Sequence, residues 1–171
     1  FGKPYILNQI GDIAKSSKNE NITFPTETNA DLCWLFGHFL GDGFFKHSES
    51  YTSLQFAINF KDSEVNNNLI KILHSQFNLK YTVADDHYRL HAKGSSSLAE
   101  FFELNDVKGT SHTKRVPNWV FSLPLEQRLS FIAGYIDADG TVRDNIKNKD
   151  IVLTSINSDL LNDIRELCDL S

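Results

Sequence analysis

Two acids, Asp42 and Asp139, each close a run of apolar and small residues, and each is followed by glycine. The runs align without gaps: Leu35-Phe36-Gly37-His38-Phe39-Leu40-Gly41-Asp42-Gly43 against Ile132-Ala133-Gly134-Tyr135-Ile136-Asp137-Ala138-Asp139-Gly140. Two carboxylates brought together at the negative ends of two helices repel each other, and a cation relieves that repulsion. Carboxylate oxygens suit Mg²⁺ or Mn²⁺, ions that also take waters and phosphate oxygens and can clamp the attacking and leaving oxygens of phosphodiester hydrolysis. One Asp-Gly alone would be a turn ending a core helix; its repetition on matched helices points to chemistry. Between the two runs lies the block Lys114-Arg115-Val116-Pro117-Asn118-Trp119, in which Lys114 by spacing alone reads as a solvated loop lysine.

The elements that position these groups follow from periodicity. Gly37, Gly41, Ala133, Gly134 and Ala138 recur at three- and four-residue spacing, so each helix carries a stripe with almost no side chain, and two such stripes can pack backbone to backbone. Thr28 or Asn29 caps the first apolar helix, and a helix without a polar face must be buried. Leu54, Phe56, Ile58 and Phe60 alternate with Ser53, Gln55, Ala57 and Asn59, the pattern of a strand with one face in the core and one in water; Phe44 to His47 supplies its hairpin partner. Asp62 or Ser63 caps an amphipathic helix bearing Val65, Leu69, Ile72, Leu73 and Phe77. A second hairpin spans Leu79 to Ala84 and Tyr88 to Lys93, and a short helix runs from Ser95 to Leu104.

After residues 105–124 the order begins again. A helix from Leu125 ends at Asp137-Ala138-Asp139-Gly140, and strands from Val142 to Ile146 and Ile151 to Ile156 precede a helix from Ser158 to Leu170. An internal repeat is the strongest organisational signal, and its second copy lacks the last hairpin. Residues 1–28 read as an N-terminal extension or linker, 29–104 as the first repeat, 105–124 as the inter-repeat loop and 125–171 as the truncated second repeat. The extension has apolar residues at Ile6, Ile10 and Ile13 and is assigned no chemistry.

Polar residues fall on the non-core faces of the strands, where a nucleic acid could be contacted: Lys46, Ser53, Gln55, Asn59, Lys80, Thr82, Arg89, His91, Lys93, Arg143, Lys147 and Lys149. Asn and Gln can read adenine, and Arg and Lys can read guanine or grip phosphate. The net charge of −5 argues against a nucleic-acid partner. The strand and turn segments 42–61, 79–93 and 140–149, however, hold 8 basic and 5 acidic residues, so the acidity is concentrated elsewhere. His38 reads as an interface residue on an apolar helix, and His74, His87 and His112 show no metal spacing.

At 171 residues and 40% hydrophobic content the chain can bury a core. Cys33 and Cys168 fall in apolar helical patterns and read as small buried hydrophobes, implying neither a disulfide scaffold nor a zinc site. No apolar run approaches the ~20 residues of a membrane span, and no signal-peptide layout is present, so the expectation is a soluble intracellular protein, cytoplasmic or nuclear. A chain without methionine that starts at Phe1 is expected to be a piece of something longer.

The paired motifs resemble those of LAGLIDADG homing endonucleases of the DOD type, in the two-motif single-chain form embedded in inteins. The likeness covers roughly Asp31 to Ser171. It implies an α+β fold of two pseudo-twofold αββαββα repeats, the motif helices forming their interface and antiparallel sheets forming a saddle over the DNA major groove, with the second repeat incomplete. It implies a monomer that cuts both strands of a duplex DNA site with Mg²⁺ or Mn²⁺. The metal site carried over is Asp42 and Asp139 with the preceding Gly41 and Ala138; Leu40 stands where many members have an acid, a position that does not bind metal. The Lys-x-hydrophobic-Pro block resembles the one preceding the second motif in intein endonucleases, which implies a catalytic role for Lys114. The equivalent lysine of the second repeat would lie beyond Ser171, and no splicing signature is present. A non-catalytic DNA-binding module and an RNA-splicing maturase are the alternatives on the same motifs.

Overall fold

The computed structural model describes residues 2–11, 21–144, 149–153 and 155–171, with residues 139–144 and 149–153 described by their backbone alone. Asn29 caps α1 (Ala30–Asp42) by accepting a hydrogen bond from the Leu32 N–H, satisfying one donor that the first helical turn leaves open. Leu32 to Leu40 are all buried, as a helix without a polar face requires. The chain then runs through β1 (Gly43–His47), β2 (Thr52–Ala57), α2 (Ser63–Phe77), β3 (Thr82–Val83), β4 (Arg89–His91) and α3 (Ser96–Leu104). A 3₁₀ turn at Asn118–Ser122 leads to α4 (Leu125–Asp139), β5 (Gly140–Asp144), β6 (Lys149–Leu153) and α5 (Ser158–Leu170). The fold is α+β, with a four-stranded antiparallel sheet ordered β1-β2-β4-β3 and a two-stranded antiparallel sheet of β5 and β6.

The strands end earlier than their alternation suggests. Asp62 N–H bonds the Asn59 carbonyl at 2.9 Å, and this turn reverses the chain into α2. Phe60, expected on the core face, lies in that turn and is 55% exposed. The β3–β4 hairpin pairs only Thr82 with His91 and Val83 with Leu90, because the chain folds back between Ala84 and His87, where His87 takes a positive φ of 63°.

Between the sheet and the helices lies an aromatic core in which Phe36, Phe39, Phe56, Phe77, Phe101 and Phe102 are fully buried. Edge-to-face pairs such as Phe36–Phe102 and Phe39–Phe102, with centroids 5.1 and 5.4 Å apart, are the geometry ring quadrupoles favour. The N-terminal segment packs on this core through Leu7 and Ile10; Ile6 is exposed, and Ile13 lies outside the described residues. Tyr5 stacks on Trp119 at 4.4 Å, and Asn8 and Asn105 exchange hydrogen bonds. Cys33 is buried, which pushes its thiol up to about 12, and behaves as the expected hydrophobe. Cys168, expected buried, is exposed: α5 turns Leu160, Ile164 and Leu167 inward, and Cys168 falls off that stripe. Among the described residues no helix is long and apolar enough to cross a membrane.

Candidate active site

The positions of the two acids are set by how closely α1 and α4 approach. A Cβ added to Gly37 would lie 1.9 Å from the Phe131 carbonyl oxygen, and one added to Gly134 would lie 1.9 Å from the Trp34 carbonyl oxygen. The contact is reciprocal at its second partner too, Tyr135 N against Gly37 and His38 N against Gly134. Only glycine permits backbone against backbone at this distance. Farther back, Thr28 Oγ1 donates to Gln127 Oε1 at 2.6 Å and Gln127 Nε2 donates to the Thr28 carbonyl, fixing the start of α4 against the cap of α1. Toward the acids, Trp34 Nε1 donates to Asp137 Oδ2 at 2.9 Å, a cross-helix bond that the motif pattern did not single out.

Asp42 is the last residue of α1 and Asp139 the last residue of α4. Asp42 is half-buried and, with Gly41, lines a groove of about 980 Å³ whose other walls are β1 and the loop from Asp106 to Asn118. Ala138 is half-buried at the matching place on α4, and the Asp139 side chain lies outside the described residues.

Lys114 enters the same groove from the loop and is buried, not solvated. Its ammonium donates to the Phe39 carbonyl at 2.8 Å and to the Gly43 carbonyl, straddling the end of α1 on either side of Asp42, and lies 4.8 Å from the Phe39 ring centroid. A cation there gives the Phe39 carbonyl a second donor beside the Gly43 N–H and complements the negative end of the helix dipole. The loop is held in turn by the second half of the chain. Asn157, the N-cap of α5, accepts from Leu160 N–H through Oδ1 and donates through Nδ2 to the Lys114 carbonyl at 2.7 Å. Asp163 accepts from Arg115 Nε at 2.7 Å and Nη2 at 3.0 Å and from Val116 N–H at 3.2 Å, and this pairing raises the Arg115 pKa. Gly109, at φ 110°, lets the loop pass close to Lys114, where a Cβ would stand 2.9 Å from the lysine backbone. The sequence singled out neither Asn157 nor Asp163; the signal that could have found the first is an Asn directly before Ser158, at a helix N-cap.

His38 lies at the centre of the helix contact, stacked on Trp34 at 4.8 Å, with Nδ1 buried and without a hydrogen-bond partner. Burial pulls its pKa down to about 4, a hydrogen bond to the Gly134 backbone opposes the shift, and Lys114 adds to it, so the ring is neutral near pH 7. It is the packed interface residue the sequence suggested.

Strand register decides which candidate DNA contacts share a face. Directly paired residues point the same way, so Phe44, Lys46, Ser53, Gln55, Ala57, Arg89, Thr82 and His91 form one face and Phe45, Leu54, Phe56 and Leu90 the other. Lys46, Thr82 and His91 are exposed on the first face as expected. Ser53 and Gln55 are on it but buried, contrary to the expectation that they face water. Gln55 Nε2 donates to Ser53 Oγ at 3.2 Å, and Arg89 lies over Gln55, donating to Oε1 at 2.8 Å while pairing with Asp86 at 2.8 Å. Asn59, Lys80 and Lys93 are exposed but flank the strands instead of lying in them. Arg143 and Lys149 are in β5 and β6 with side chains outside the described residues, and Lys147 lies outside them altogether.

The chain is 32% identical over 155 residues to an iron–sulfur cluster assembly SufBD family protein of Mycobacterium leprae, covering 90% of this chain and 17% of that one. It is 29% identical over 162 residues to a DNA polymerase of Thermococcus litoralis, covering 88% and 9%. It is 26% identical over 140 residues to a glutamine–fructose-6-phosphate aminotransferase of Methanocaldococcus jannaschii, covering 78% and 12%. The chain thus spans less than a fifth of each of these relatives. The model of the LAGLIDADG-like domain matches residues 126–169, from the start of α4 nearly to the end of α5, and this match supports the LAGLIDADG family for the chain.

Proposed function

We propose that the chain is the core of a homing endonuclease of the intein-embedded type, which binds a long duplex DNA site and hydrolyses one phosphodiester bond in each strand with Mg²⁺ or Mn²⁺. The observation that carries the reading is the reciprocal glycine contact, because it sets α1 and α4 against each other as equivalents and so relates their terminal acids, Asp42 and Asp139, by the same pseudo-twofold operation. In this reading helix, hairpin, helix, hairpin, helix from 29 to 104 is the first αββαββα repeat, 125–171 the start of the second, and the polar sheet face one flank of a saddle for DNA. The relatives support an inserted element: their names describe different activities, yet each carries a similar segment that makes up less than a fifth of its length.

Among the described residues no three His, Cys, Asp or Glu side chains cluster as a metal cage. Mg²⁺ does not require one, since it is held by one or two carboxylates with waters and phosphate oxygens. Asp42, open to a groove beside the Gly41 backbone, fits such an ion, and Asp139 with Ala138 would be the matching set. A bound divalent ion supplies Lewis-acid charge and a water of lowered pKa. The chain itself contributes the acids that place the ion, the Lys114 ammonium held beside Asp42, and a groove open to a phosphodiester strand. Incubating the full-length parent protein with its uninterrupted insertion-site duplex tests this: linear cleavage with Mg²⁺ and none with EDTA is expected, whereas no cleavage under any divalent ion would leave a binding module.

A further inference from the structure

Phe44 is an apolar residue in a polar place. By register it shares the face of Lys46, Ser53, Gln55 and Arg89, and it stands directly across from Gln55. Its neighbour Phe45 turns the other way, into the core, with its ring 5.2 Å from that of Phe39. Both rings are half-buried and reach the groove that holds Asp42 and Lys114, Phe45 from the core side of the sheet and Phe44 from the side that carries Lys46 and Arg89. Two residues from the acid, Phe44 leaves part of a large apolar ring open to the groove on the polar side of the sheet.

We propose that Phe44 is a specificity-determining residue that packs against the 5-methyl group of a thymine beside the cleaved bond. This rests on the duplex-DNA reading above. In the major groove thymine offers an O4 acceptor and a methyl, and an apolar side chain selects the methyl.

The test starts from duplexes selected by the full-length parent protein out of a randomised pool, in which each thymine is then replaced singly by uracil, which differs only in lacking the methyl. At one position near the cut, uracil should weaken binding about fourfold, the size expected for losing one buried methyl contact. With Phe44→Ala or Phe44→Asn that position should become indifferent to the methyl, while Phe44→Leu should retain the preference. Thermal melts of each variant guard against misfolding, and Phe44→Leu keeps the apolar volume where the smaller variants fail to fold. Specific duplexes recovered with no uracil-sensitive position, or with a sensitivity that Phe44→Asn leaves unchanged, would overturn the assignment to Phe44 alone. Recovery of no duplex at all would instead sink the DNA reading and this inference with it.

Discussion

Gly37 and Gly134 face each other's helices in the same way, each leaving 1.9 Å between an added Cβ and the opposing carbonyl oxygen, of Phe131 and of Trp34 respectively. The acids five residues beyond each glycine inherit their relative placement from this contact. Alanine favours a helix by about 1 kcal/mol over glycine, but here it must push two backbones apart. Gly37→Ala and Gly134→Ala are therefore expected to destabilise the fold by about 3 kcal/mol. Gly11→Ala, with nothing within 4 Å of the added atom, should be near neutral. Urea titrations of the three variants decide it, and equal midpoints would mean that the helices can slide apart at no cost.

Lys114 is bonded as a solvated loop lysine would not be. Lys114→Met removes two charge-assisted hydrogen bonds, to the carbonyls of Phe39 and Gly43, and a loss on the order of 2 kcal/mol should appear in the same titration. In the endonuclease reading it also removes a preorganised charge, slowing cleavage by about 10²-fold. Single-turnover cutting rates, measured well below the variant's melting temperature, separate the two effects.

Acid should loosen the helix interface through His38. The unfolded chain takes up a proton near the ordinary value of 6.5, whereas the buried ring resists until about pH 4. The unfolded state therefore binds more protons in that window, and stability falls as pH drops from 6.5 toward 4, by roughly 3 kcal/mol at most. His38→Phe should flatten that part of the stability curve. An unchanged slope between pH 6.5 and 4 would assign the acid sensitivity to other groups.

Salt should weaken DNA binding steeply, because Lys46, Lys80 and Lys93 are exposed on and beside the polar sheet face and phosphate contacts release counterions. Gel-shift titrations from low to physiological salt report the slope, and affinity that does not fall would exclude a phosphate-gripping surface. The chain's net charge of −5 makes this a demanding test.

The helices and the glycine contact were readable because small residues at helical spacing have few other uses, and α5 was bounded at Ser158 and Leu170 from sequence alone. Strand ends were less legible: alternation continued through Phe60, but a turn bond at Asn59 had already reversed the chain. The burial of Ser53 and Gln55 depends on an arginine from a strand more than thirty residues away, which no local pattern carries. Lys114 was found through its neighbours, yet its anchoring by Asn157 and Asp163 comes from tertiary folding that brings α5 beneath the loop. Phe44 was hidden by Phe45, since two adjacent aromatics look alike until register assigns them to opposite faces.

The central claim is that Asp42 and Asp139 hold the metal that cuts DNA, and the most direct measurement is a paired binding and cleavage assay on the full-length parent protein and its Asp42→Asn and Asp139→Asn variants. Asparagine keeps the shape of the side chain and removes the charge that would hold the ion. Each variant is expected to retain the insertion-site duplex with near-parental affinity in the gel shift and to lose cleavage of one or both strands in Mg²⁺. Variants that cut both strands as fast as the parent would contradict it and place the chemistry elsewhere.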